Sequence, residues 1–213
     1  MLATLAAVSA LASSPIAQLR LVGESRTYVP GSTLRAAVVL DLPAGWHVYW
    51  TNPGDSGVPP RVRWKLPRGW TASEPAHPAP KAHRDSEFVS YVHEGKVLLP
   101  VRLQAPRGAR GTARIVAEAD WLVCKEGCVP ESGVATLTLE EGRGLTPSGA
   151  RDAVARAFAS LPSTGGRGTL RWEGDRPIVG ASGFADAAGL EVFPMAPGTL
   201  SHRQPVARAE RTS

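Results

Sequence analysis

The most constraining feature of this chain is a period-two alternation of apolar and polar residues, repeated in short runs that glycine and proline interrupt. Val62, Trp64 and Leu66 alternate with Arg61, Arg63 and Lys65, and Ile115, Ala117, Ala119 and Trp121 alternate with Arg114, Glu118 and Asp120. Successive side chains of a strand point to opposite faces, so each run buries one face and wets the other. Leu34 to Leu42 reads as a further strand, and Ala135, Leu137 and Leu139 as a closing one. Val97 to Leu103 carries Pro100, which predicts an edge strand or a bulge. The 22 glycines and 19 prolines follow no period, which fits many short strands joined by turns and argues against a helical bundle. A mainly β sandwich or barrel is expected over residues 18–139.

Two stretches, 51–60 and 74–85, are too rich in proline, glycine and histidine to read as regular structure, and long loops in compact domains are often functional. After Gly142 the character changes. Ser148 is placed to cap a helix with Ala150, Val154, Phe158 and Leu161 on one face, ended by Pro162. Strand-like pieces at Thr169–Trp172, Pro177–Val179 and Leu190–Phe193 begin a second β region without completing it, and the polar tail 201–213 is expected to be disordered. The expected division is a possible signal remnant over 1–14, a sandwich over 15–143, a helix with a partial β domain over 144–200, and the tail.

Met1 to Ala12 resembles the apolar part of a secretory signal without its charged leader, and Ala10-Leu11-Ala12 supplies a small-x-small pattern. No later run approaches the ~20 apolar residues that span a bilayer. The net charge of +5 is spread over scattered arginines with no basic run, so the charge is read as solubility and nucleic acid is not expected as a partner.

The reactive groups concentrate at Cys124-Lys125-Glu126-Gly127-Cys128-Val129-Pro130, which holds the chain's only 2 cysteines. Cysteines at this spacing bond only where the backbone turns sharply, and Gly127 with Pro130 is expected to supply the turn. Such a ring removes only about 2 kcal/mol of unfolded-chain freedom, against 4 to 5 for a bridge spanning a hundred residues, so it makes a weak staple. It does suit exchange chemistry, in which one thiolate attacks a foreign disulfide and its neighbour resolves the mixed intermediate. Lys125 would favour the thiolate and Glu126 oppose it. Spacing alone leaves a redox pair and a structural bridge both open. Metal binding has less support: copper favours nearby methionine or histidine, yet the only methionines are Met1 and Met195 and no histidine neighbours either cysteine in sequence. Zinc lacks two further ligands nearby. No cofactor and no metal are expected.

Trp46, Tyr49 and Trp50 read as sheet and core packing, since large aromatics dominate sandwich cores. The five histidines, His47, His77, His83, His93 and His202, are scattered and mostly expected at the solvated surface. Asp85, Glu87 and Asp120 read as surface carboxylates that would tune thiol protonation only if they folded over the pair.

Three ordered motifs carry a family resemblance. Gly45-Trp46-His47-Val48-Tyr49-Trp50-Thr51-Asn52-Pro53-Gly54-Asp55-Ser56-Gly57-Val58-Pro59-Pro60, then Glu94-Gly95-Lys96-Val97-Leu98-Leu99-Pro100, then the cysteine segment, resemble the N-terminal periplasmic region of DsbD-type protein-disulfide reductases, and most of all the ScsB branch associated with copper tolerance. The resemblance covers about residues 18–139, and 190–205 resembles its continuation.

It implies an immunoglobulin-like β-sandwich with an inserted cysteine-bearing hairpin, exported to the periplasm, either alone or as the soluble part of an inner-membrane protein. It further implies that Cys124 and Cys128 form the redox-active pair of a disulfide reductase. They would take electrons from a membrane-embedded donor domain and pass them to periplasmic thioredoxin-fold proteins, such as disulfide isomerases or cytochrome-maturation thiol carriers. An aromatic cap over the cysteines would fall at Phe88, with Asp85 and Lys125 as tuning residues. The three-residue spacing matches the ScsB branch, other members having a longer one. The membrane domain and a C-terminal thioredoxin-like domain lie outside this chain. The competing readings are a non-enzymatic immunoglobulin-like binding module with a structural disulfide, and a copper-tolerance metal-binding protein.

Overall fold

The computed structural model describes residues 14–84, 88–162, 167–174, 176–182, 191–195 and 206–207. In chain order the strands are β1 (Gln18–Gly23), β2 (Thr27–Tyr28), β3 (Thr33–Asp41), β4 (His47–Gly54), β5 (Arg61–Lys65), β6 (Thr71–Ala72), β7 (Lys81–Arg84), β8 (Val89–Glu94), β9 (Lys96–Gln104), β10 (Ala113–Cys124) and β11 (Cys128–Glu141). Helix α1 (Arg151–Ala159) follows, then β12 (Arg167–Glu173), β13 (Arg176–Ser182) and β14 (Val206–Ala207).

The alternating runs decide the architecture. One sheet has the order β1-β3-β9-β6, and the other has β2-β11-β10-β4-β8-β7 with β5 also paired to β10. Leu34, Ala36, Val38 and Leu40 of β3 and Val97, Leu99, Val101 and Leu103 of β9 face Ile115, Ala117, Ala119, Trp121 and Val123 of β10, all buried in one core. This is a sandwich of immunoglobulin-like type, mainly β as the alternation predicts.

The opposite face of β3 is also covered. Ala37 and Val39 are buried, and α1 packs on β3 and β9 with Val154 and Ala157 buried. Arg35 and Arg102, register partners on those strands, place their guanidinium carbons 5.6 and 5.0 Å from the centre of the Phe158 ring, a cation-π arrangement. The helix starts two residues later than its sequence suggests. Its N-cap is Ala150 with no side-chain cap, because the Ser148 hydroxyl donates to the Gly23 carbonyl at 2.5 Å while accepting the Ala150 N–H at 3.0 Å.

Several local expectations change. Pro100 lies inside β9 opposite Ala37, but β6 reaches only Leu103 and Gln104 on the far side, so the proline sits where that strand is effectively an edge. The stretch 51–60 is not wholly irregular, since β4 continues to Gly54 with a register shift between Tyr49 and Gly54. Within 74–85, Lys81–Arg84 form β7 by pairing with β8; the ladder of a tertiary neighbour overrides a weak local preference. In the tail, Val206–Ala207 pair in parallel with β13. The signal-like residues 1–12 lie outside the described residues. Among those described, no helix is long and apolar enough to cross a membrane.

Candidate functional site

Among the described residues β10 and β11 form the longest hairpin, in unbroken register from Ala113 opposite Leu139 to Cys124 opposite Cys128. The two cysteines therefore close its tip. Their sulfurs are bonded at 2.07 Å, with Cα atoms 4.1 Å apart. The turn consists of Lys125, Glu126 and Gly127, and the Lys125 N–H donates to the Gly127 carbonyl at 3.1 Å. Pro130 takes no part in it, contrary to the sequence expectation, because it lies in β11 opposite Leu122. Gly127 is not among the glycines with positive φ, so the turn does not depend on the left-handed region there.

The pair is asymmetric. Cys124 is 2% exposed, whereas Cys128 is exposed together with the three turn residues. Cys124 ends β10 on the outer face of the sheet, where it stands directly opposite His47 of β4, which in turn stands opposite Glu94 of β8. Tyr49 is two residues along β4 on the same face. Its hydroxyl lies 3.5 Å from Cys124 Sγ and 3.7 Å from Cys128 Sγ. With both sulfurs oxidised, the phenol is the group that carries the proton in these contacts. Tyr49, Val92 and Cys124 make a small buried cluster with Leu122 against it, separate from the main core. Tyr49 thus does more than the packing its sequence spacing suggests.

The histidines also depart from the expectation of a solvated scatter. His47 is 6% and His93 8% exposed. The His47 ring lies edge-on to Tyr49 at 5.6 Å and 4.9 Å from His83, which is exposed. Burial lowers the pKa of His47, the nearby His83 lowers it further, and Glu94 opposes both. Glu94 is itself held below its usual range, chiefly by a 2.9 Å hydrogen bond from Lys81 Nζ. On the opposite face of β8, His93 stacks on His77 at 5.7 Å. Burial pushes both to about 4, and among the described residues His93 Nε2 and His77 Nδ1 have no hydrogen-bond partner.

Phe88 immediately precedes β8, 41% exposed, at the end of that strand away from Glu94 and His47. Asp85 and Glu87 lie outside the described residues. Lys125 is exposed on the hairpin turn, and Glu126 beside it. Asp120 pairs with Arg63 at 2.7 Å rather than folding over the disulfide. Beside the pair, on the same outer face, a groove of about 580 Å³ is lined by Val58, Pro59, Arg61, Arg63, Leu122 and Pro130 among others. Among the described residues no group of three or more His, Cys, Asp or Glu is arranged to hold a metal ion.

The fold is similar to the N-terminal periplasmic domain of ScsB from Proteus mirabilis, at a TM-score of 0.56 and 17% identity, over 78% of this chain and 64% of that one. The chain thus spans less than two thirds of that relative. Two further structures match at TM-scores too low to carry an argument. AvmM, described as catalysing macrocyclization in alchivemycin A biosynthesis, gives 0.28 at 15% identity over 61% of this chain and 91% of that one. The PapD-like domain 7 of human CEP192 gives 0.26 at 14% identity over 66% and 99%. No curated protein sequence matches. The family model for the N-terminal region of thiol:disulfide interchange protein DsbD matches residues 18–140, from the first residue of β1 to the last but one of β11. With that match over more than half its length, the chain belongs to the DsbD N-terminal family.

Proposed function

We propose that this protein is a periplasmic thiol:disulfide exchange module of a protein-disulfide reductase, relaying electrons through Cys124 and Cys128 to thioredoxin-fold proteins. The observation that carries the reading is the asymmetry of the bridge: Cys128 is exposed at a hairpin tip while Cys124 is buried, with a phenol hydroxyl against both sulfurs. An incoming thiolate attacks the exposed Cys128 Sγ, and the electron pair of the broken bond leaves on Cys124. In the reverse direction the Cys128 thiolate attacks a partner's disulfide and Cys124 resolves the mixed intermediate. A five-residue ring stabilises the fold too little to account for the bridge as a staple.

The exchange module occupies residues 15–143, followed by a second region over 144–200. Location in the periplasm is supported by the signal-like start and by the stated origin of the ScsB domain. The donor is a membrane-embedded domain. Lys125, next to Cys124 on the hairpin turn, is the candidate for tuning the pair. Phe88, the cap that the resemblance implies, precedes β8 at the end of that strand away from Glu94 and His47, so capping by it requires the segment before β8 to reach across the outer face.

The test is trapping. Cys124→Ser retains the exposed thiol without its resolving partner, and should accumulate a mixed disulfide with a thioredoxin-fold protein carrying an active-site disulfide. If neither Cys124→Ser nor Cys128→Ser captures such a partner, the reading fails.

A further inference from the structure

Breaking the Cys124–Cys128 bond leaves a negative charge on a sulfur that is 2% exposed. A buried thiolate without a counter-charge or a proton is costly, and a poor leaving group slows exchange. The outer face of the sheet holds groups suited to relieve this. His47 is the direct register partner of Cys124, and directly opposed residues on adjacent antiparallel strands bring their Cβ atoms to about 5 Å. Its ring abuts Tyr49, whose hydroxyl reaches both sulfurs. On its other side it meets His83 at 4.9 Å, and His83 is open to solvent. Two imidazoles therefore link the buried sulfur's neighbourhood to water.

We propose that His47 supplies the proton taken up by Cys124 when its bond to Cys128 is broken, with His83 as the route by which solvent replenishes it and Glu94 as its electrostatic partner. This rests on the exchange reading and deepens it. A thiolate of the reductant attacks Cys128 Sγ, and a new S–S bond forms as the Cys124–Cys128 bond breaks. The electron pair passes to Cys124 Sγ, which takes the proton from the His47 imidazolium. The reductant's second thiolate then displaces Cys128, leaving the reductant oxidised by two electrons and the pair reduced by two. Cys128 takes its proton from water.

The charged and titratable groups facing His47 are His83 from β7, Glu94 from β8, Tyr49 from its own strand and the cysteines of the hairpin, with Lys125 on the adjoining turn and Lys81 behind Glu94. They act in opposite directions. His83 disfavours the imidazolium and Glu94 favours it, so removing either moves the titration of His47 in a known sense.

The experiment follows reduction of the disulfide in the full chain by dithiothreitol from pH 5 to 8.5, quenched and read by alkylation and mass. The rate constant is divided by the thiolate fraction of the reagent. The corrected constant should rise about a hundredfold as pH falls through the titration of His47, the low end of what general acid catalysis supplies. His47→Phe should flatten the profile, His83→Ala should move its inflection to higher pH, and Glu94→Gln to lower pH. The two neighbour variants keep the test decisive if His47→Phe fails to fold. Superimposable profiles for wild type and His47→Phe, or an inflection indifferent to both neighbours, overturn the role of His47 while leaving the exchange reading intact. A disulfide that resists dithiothreitol at every pH overturns both.

Discussion

Gly57 lies flat against the ring of Tyr49: a β-carbon placed on it would fall 2.2 Å from Tyr49 Cε1, and its φ of +111° is one that side chains rarely adopt. The loop after β4 therefore fixes the phenol that reaches the two sulfurs, and glycine is the residue that lets it come so close. Gly57→Ala should cost about 3 kcal/mol of stability, combining backbone strain with overpacking. It should also alter the redox equilibrium of the cysteines. Chemical denaturation and equilibration against glutathione on the same sample check both. An unchanged redox equilibrium would mean that the ring is held by something other than this loop.

Removing only the hydroxyl isolates the second effect. The phenol hydrogen-bonds a released sulfur more strongly than a bonded disulfide sulfur, so Tyr49→Phe should favour the disulfide by about 1 kcal/mol, roughly fivefold in the equilibrium constant with glutathione. The fold should be little affected, which thermal unfolding of the oxidised protein verifies.

The burial difference between the cysteines predicts unequal reactivity. Cys128 in Cys124→Ser should react with iodoacetamide at least ~10-fold faster than Cys124 in Cys128→Ser, since access and thiolate character govern the rate. Equal rates at pH 7.5 would contradict the one-sided site.

His77 and His93 predict an acid transition that does not involve the disulfide. Their folded pKa values of about 4 lie below the ordinary 6.5, so between those values the unfolded chain binds more protons than the folded one. Stability is therefore full above pH 6.5 and falls as pH drops from 6.5 to 4, by on the order of 3 kcal/mol for each histidine. Denaturation midpoints at pH 7 and 4.5 should differ accordingly. His93→Phe, which keeps a ring in the stack without a titratable nitrogen, should reduce the difference.

The sandwich was legible where one strand face is buried and the other wet, because alternation is then written into the residues themselves. Arg61 to Lys65 and Arg114 to Trp121 are such segments. The cysteine pair was legible because reactive thiols at short spacing admit few arrangements. Its surroundings were not. Tyr49 lies in an aromatic cluster with Trp46 and Trp50 that reads equally as packing, and only the meeting of β4 with β10 shows which ring faces sulfur. His47, His77, His83 and His93 look scattered because adjacency in a sheet is set by register between distant segments. Lys81–Arg84 read as loop because their strand conformation comes from pairing with β8.

The cysteines close a hairpin whose two arms are already zipped from Ala113–Leu139 upward and whose inner faces belong to the main core. Opening the ring at the summit therefore leaves everything below it in place. In the proposed exchange the electron pair would come and go on a frame that does not have to refold between turns.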